Sequence, residues 1–82
     1  MTPEVNKLKV IILQNMSICT NNTHDFEATI KQCTKAIGID REAAKAMYLR
    51  SIAQQKLGNL EAAMTDIKAA IKIAPSDGSL RT

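Results

Sequence analysis

Apolar residues recur every three or four positions along the chain, which is the spacing at which side chains share one face of an α-helix. The pattern predicts four helices, over about residues 4–20, 25–37, 41–56 and 60–73. No stretch shows the strict alternation of a β-strand, so the predicted fold class is all-α. The predicted inward positions are, in chain order, Val10, Leu13, Met16, Ser17, Thr20, Phe26, Ile30, Cys33, Ala36, Ile37, Met47, Tyr48, Ser51, Ile52, Leu60, Ala63, Met64, Ile67, Ala70 and Ile71.

Residues with capping or breaking tendencies separate these helices. Gly38 stands near the predicted end of the second helix, and Asp40 is placed to cap the third through its carboxylate. Asn59 is the predicted cap of the fourth helix, and Pro75 is expected to stop it.

The inward face of the fourth helix is unusual because alanine occupies positions where a core normally holds large side chains. Ala63 and Ala70 are seven residues apart, so they lie on one stripe of the helix. We expect this stripe to let the third helix approach closely.

An internal repeat emerges when the chain is compared with itself at a shift of 34 residues. Ser17 then aligns with Ser51, Ala36 with Ala70, and other apolar positions also match. A helix pair recurring at this period is typical of a tetratricopeptide array.

The second unit, AKAMYLRSIAQQKLGNLEAAMTDIKAAIKIAPSD, resembles a tetratricopeptide repeat over its whole length. The resemblance implies helix-turn-helix units, with four antiparallel helices forming a short right-handed superhelical array. The expected organisation is a single domain with repeat one at about 10–43, repeat two at about 44–77 and a short tail at 78–82. The first unit is more degenerate, with His24 where glycine is usual and Thr29 where alanine is usual.

Two shorter stretches, REAAKAMYLRS and LQNMSIC, are similar to the third and second repeats of large immunophilins, which are peptidyl-prolyl isomerases with a co-chaperone tail. In that family, Lys, Asn and Arg side chains hold the acidic C-terminus of a heat-shock chaperone through charge-assisted hydrogen bonds. The resemblance implies that Asn15 and Lys45 take two of these roles. Leu49 stands where an arginine is expected, and Arg50, one place later, is rotated by about 100° around the helix.

Helical phase also predicts a concave surface between the first and third helices, with polar donors interleaved among apolar side chains. Such a surface suits an extended peptide that carries an acidic group. The alternative is that the polar members are simply solvated and the apolar ones pack on a repeat that this chain lacks. The members of this surface are Ile11, Gln14, Asn15, Ile18, Lys45, Tyr48, Leu49, Ile52 and Lys56.

Self-association is the second functional hypothesis, since two helical repeats bury little apolar surface. We expect apolar faces at both ends of the stack, around Leu13 and Met16 at one end and Met64 and Ile71 at the other. Such faces favour a homo-oligomer or the exchange of helices between chains. The net charge of +3 is spread without a clustered basic face, so a nucleic-acid partner is not expected. The apolar run at 10–13 is too short to span a membrane.

Few side chains are suited to catalysis or metal binding, so the chain is not expected to be an enzyme or to hold a cofactor or metal. His24 is a lone turn histidine, and Cys19 and Cys33 lack a zinc-binding or redox spacing. Both cysteines are predicted to be reduced core residues, which favours the cytoplasm. Any isomerase activity would lie in a separate domain.

Overall fold

Four α-helices form two consecutive hairpins in the computed structural model, which describes residues 3–74. The helices are α1 (Pro3–Asn22), α2 (Phe26–Ile39), α3 (Ala44–Lys56) and α4 (Leu60–Ile73), and no strand occurs in this range. α1 packs on α2 and α3 on α4, while α3 also contacts α1 and α2. α3 is therefore the central helix of the stack. The predicted all-α repeat fold is confirmed, whereas Pro75 and the predicted tail lie outside the described residues.

Both hairpin turns pass through a left-handed backbone conformation. Gly58 has φ of 88°, and His24, which stands 34 residues earlier, has φ of 63°. Glycine adopts this conformation without steric cost, whereas histidine does so at some expense. The His24 ring lies edge-on to the Phe26 ring, with centroids 5.6 Å apart. The repeat thus preserves the turn geometry where its sequence departs from glycine.

Neither cap predicted from the sequence makes the expected side-chain hydrogen bond, whereas α2 has a capping residue that was not predicted. Asp25 caps α2, since its Oδ1 accepts a hydrogen bond from the backbone N–H of Ala28 at 3.4 Å. Asp40 does not cap α3, because that helix begins only at Ala44 and the Asp40 carboxylate instead accepts from the N–H of Glu42 at 3.0 Å. Asn59 holds the cap position of α4, but its side chain makes no capping bond.

Small residues form the seam between α3 and α4, as the stripe predicted. Ala70 is fully buried and Ala63 is buried. The large side chains beside them point elsewhere: Leu60 is 60% exposed, Met64 57% and Ile71 43%. The prediction that these three residues face the core is therefore wrong, because no described helix packs on that side of α4. The separate expectation of an exposed apolar end around Met64 and Ile71 agrees with this exposure. Met16, on the opposite side of the stack, is likewise exposed.

Polar side chains fill part of the seam between α1 and α2. The hydroxyls of Thr20 and Thr29 lie 2.6 Å apart, and the Ser17 hydroxyl donates to the carbonyl of Leu13 at 2.8 Å. The Cys33 thiol is buried and donates to the Ser17 hydroxyl at 3.3 Å. Hydrogen bonding inside the seam offsets the desolvation of these groups.

The two cysteines occupy different environments, although both are free thiols. Burial raises the pKa of the Cys33 thiol, so this side chain stays neutral near pH 7. Cys19 is exposed, so the prediction that it belongs to the core is wrong. On α1 it lies on the outer side of the helix, which no described helix covers.

Candidate functional site

One face of α3 remains open to solvent, and four predicted site residues share it. Lys45 and Lys56 are exposed, while Tyr48 and Ile52 are half-buried between them. Their spacing of three or four residues places them along a single stripe of the helix. We call this stripe the α3 surface. Its two lysines are separated by about 16 Å along the helix axis, so a bound chain in contact with both would be extended.

Two apolar side chains, one on the α3 surface and one beside it, pack against the core. Tyr48 packs beside the buried cluster of Ala44, Met47 and Ala70. Ile18 of α1 packs against the other buried cluster, which includes Leu49. Tyr48 on the α3 surface and Ile18 beside it therefore rest on the core.

α1 supplies less to this surface than helical phase predicted. Gln14 and Ile18 are half-buried, whereas Ile11 and Asn15 are exposed. Asn15 borders a cavity on the far side of α1, together with Met16 and Gln32. It thus stands at the edge between the concave side of the stack and its outer side.

Leu49 is part of the core and does not belong to the exposed surface predicted for it. It is only 7% exposed and joins the cluster that holds α1, α2 and α3 together. Its carbonyl accepts a hydrogen bond from the Asn21 side chain at 3.3 Å. Periodicity gives no sign of this link between α1 and α3, because Asn21 and Leu49 stand 28 positions apart in the chain.

Arg50 makes its side-chain hydrogen bonds inside the fold. Its Nε and Nη2 donate to the two carboxylate oxygens of Asp66 on α4, each at 2.7 Å. Its Nη1 donates to the Thr34 hydroxyl on α2 at 3.2 Å. The hydrogen bonds to Asp66 raise the pKa of the guanidinium. Arg50 therefore joins three helices and is not available to a ligand on the α3 surface.

Residues 3–74 contain neither a membrane-spanning helix nor a cluster of metal-binding side chains. In this range no helix has both the length and the apolar character needed to cross a bilayer. No group of three or more His, Cys, Asp or Glu side chains lies close enough to share a metal ion, again within the part of the chain that the structure describes.

Comparison with known proteins identifies the repeat. Residues 44–77 match the family model described as "Tetratricopeptide repeat". A solved structure concerning the UNC-45 chaperone, with features critical for binding and folding muscle myosin, superposes with a TM-score of 0.84 at 32% identity. The match covers 92% of this chain and 8% of that one.

Curated relatives contain the same region within much longer proteins. FK506-binding protein 59 of Drosophila melanogaster is 27% identical over 74 residues, covering 90% of this chain and 17% of the relative. Protein unc-45 homolog B of Danio rerio is 32% identical over 90% of this chain and 8% of its own length. Serine/threonine-protein phosphatase 5 of Rattus norvegicus is 28% identical over 90% of this chain and 15% of its own length. The chain thus spans less than a fifth of each of these relatives.

Proposed function

We propose that this chain, in which residues 44–77 match the tetratricopeptide repeat model and the helices form a repeat fold, is a protein-interaction module that binds an extended acidic peptide on the α3 surface. The favoured ligand is the C-terminal tail of a heat-shock chaperone, within a cytoplasmic co-chaperone or peptidyl-prolyl isomerase. Catalysis by such a protein would belong to another domain.

The observation that supports this proposal is the α3 surface itself. Lys45 presents an exposed ammonium group beside the half-buried Tyr48 and Ile52. An ammonium group forms charge-assisted hydrogen bonds to a carboxylate, and an apolar floor accepts a neighbouring aliphatic side chain. Because Arg50 is held by Asp66, Lys45 carries most of the carboxylate recognition, with Asn15 at the edge as a second donor. Lys56 belongs to the same surface, and Gln14 and Ile18 of α1 extend it in this proposal.

The test is calorimetric titration with the peptide Met-Glu-Glu-Val-Asp and with its C-terminal amide. We expect amidation and Lys45→Ala each to weaken binding about tenfold, which corresponds to about 1.4 kcal/mol. Lys68→Ala is the matched control, because Lys68 is an exposed lysine on α4, away from the α3 surface. Equal binding of the two peptides, or an equal effect of the two lysine variants, would contradict the proposal.

Self-association is the second candidate function, and the exposed face of α4 favours it. Leu60, Met64 and Ile71 form an apolar stripe with no cover among the described residues. Glu61 and Lys72 follow one edge of this stripe, three turns apart. In an antiparallel pair of α4 helices related by a twofold axis, Glu61 of each copy would face Lys72 of the other. Exchange of α4 between chains is the other form of self-association, and it would reuse the buried face of Ala63 and Ala70.

Sedimentation velocity tests this second candidate. We expect the chain to dimerise at millimolar concentration and Met64→Lys to return it to a monomer, because the substitution places a charge in the apolar stripe. Thr65→Lys, at the neighbouring exposed position, should leave the dimer intact. A 9.0 kDa species that persists at millimolar concentration would exclude self-association.

A further inference from the structure

Lys45 and Lys56 are the two lysines of the α3 surface, and they stand at its opposite ends. Both side chains are exposed, and neither makes an ion pair or a side-chain hydrogen bond with any of residues 3–74. In the peptide binding proposed above, Lys45 holds the C-terminal carboxylate of the ligand. Lys56 takes no part in that contact, and its surroundings indicate what else it binds.

The ammonium group of Lys56 is not needed to complete the end of α3. Lys56 is the last residue of that helix, where unpaired backbone carbonyls favour a nearby cation. Here the backbone N–H groups of residues 57–59 already donate to the carbonyls of residues 53–55, at distances between 2.8 and 3.1 Å. The lysine side chain is therefore available to a ligand.

Positive charge dominates the α3 surface. α3 contains no Asp or Glu, and its third cation, Arg50, is paired with Asp66 on another side of the helix. The nearest acidic residues in sequence are Glu42, ahead of α3, and Glu61, beyond the turn that follows it. Both are exposed, and neither forms an ion pair with Lys45 or Lys56. A second carboxylate on the ligand would therefore be attracted to Lys56 without competition from α3 itself.

α1 encloses the Lys45 end of the surface and stops short of the Lys56 end. The Asn21 side chain donates to the carbonyl of Leu49 at 3.3 Å, and α1 ends one residue later, at Asn22. Lys56 lies about 10 Å further along α3 than Leu49. A peptide whose last residue rests at Lys45 would therefore leave the surface over its open end, past Lys56.

The separation of the two lysines selects a position in such a peptide. They are about 16 Å apart along the helix axis. An extended chain rises about 3.3 Å per residue, so the same distance spans about five peptide residues. With the terminal carboxylate at Lys45, the side chain that reaches Lys56 belongs to the fifth residue before the last. The sequence Met-Glu-Glu-Val-Asp stops one residue short of that position.

We propose that Lys56 is a specificity-determining residue of the α3 surface, which binds a carboxylate side chain on the fifth residue before the last residue of the bound peptide. This inference rests on the peptide-binding function proposed above and adds a second acidic position to the ligand.

The test uses peptides that end in Met-Glu-Glu-Val-Asp and differ only in the residue before the methionine, which is Glu, Gln or Lys. Binding to the full chain is measured by calorimetry. We expect Glu to give binding about threefold tighter than Gln, because an exposed ion pair contributes modestly. Lys56→Ala should remove this difference, and Lys56→Glu should make the Lys peptide the tighter ligand. Lys68→Glu, with the same change of charge on α4, is the control and should keep the preference for Glu.

A further peptide, with its glutamate placed four residues upstream of the tested position, checks the dependence on distance and should gain little. Equal binding of the Glu and Gln peptides, or a preference for Glu that persists in Lys56→Ala, would overturn the inference. An equal gain from the distant glutamate would overturn it too, because it would indicate a general attraction between charges. If C-terminal amidation leaves binding unchanged, the proposed peptide-binding function is itself contradicted, and this inference fails with it.

Discussion

Asp66→Ala is expected to lower the free energy of unfolding by about 3 kcal/mol, because it leaves the Arg50 guanidinium half-buried without its carboxylate. The side chains of Arg50 and Asp66 are 21% and 9% exposed, so water screens part of the interaction and the lower end of the range for buried pairs applies. Small domains have little stability to spare. The variant should therefore be substantially unfolded at physiological temperature.

Urea unfolding followed by circular dichroism measures this effect. Glu61→Ala removes an exposed carboxylate from the same helix and should change stability by no more than about 0.5 kcal/mol. The double variant Arg50→Met with Asp66→Leu should recover most of the loss, because apolar side chains replace both charges. If Asp66→Ala unfolds at the same urea concentration as the parent, the ion pair does not hold α3 to α4.

Ala70→Leu is expected to destabilise the fold by about 2 kcal/mol. Ala70 is fully buried where α4 meets α3, so a larger side chain must push the two helices apart. For a chain of this size the melting temperature should fall by roughly 8–16 °C. Thermal unfolding followed by circular dichroism gives the shift directly.

Ala62→Leu is the matched control for this prediction, since Ala62 is exposed on the same helix. It adds the same atoms without entering the seam and should leave the melting temperature nearly unchanged. If Ala70→Leu melts with the parent, the seam has spare volume and close approach is not what the alanines provide.

Repetition is the reason that much of the fold was predictable. The glycine and asparagine at 58 and 59 set the start of α4, whose observed range of Leu60–Ile73 agrees with the prediction. Helix ends without such a turn were predicted less accurately, since α3 begins at Ala44, three residues after the predicted start. Local capping residues show where a helix is able to begin, whereas here residues 40–43 form a turn in which the N–H of Ala43 donates to the carbonyl of Asp40.

Helical phase predicted which positions of α3 share a face, but it could not predict how deeply each side chain is buried. Lys45 and Ile52 lie on the open stripe that their spacing predicted. Leu49, only one position from that stripe, is buried because α1 approaches this side of α3. Cys19 shows the reverse case, being an apolar-phase residue on a side that no described helix covers. The distance between two helices depends on residues far apart in sequence, so the periodicity of one segment cannot predict it.

Small side chains are buried and several large apolar ones are exposed, so the stability of the folded chain should depend on what binds it. Ala70 and Ala36 fill the interior, whereas Ile12 and Met64 offer their apolar area to solvent. A partner on either outer face would bind only the folded state, so its concentration and affinity would add directly to the folding free energy. The melting temperature of this chain should therefore rise with occupancy, and a thermal shift could serve as a simple assay in the search for its partners.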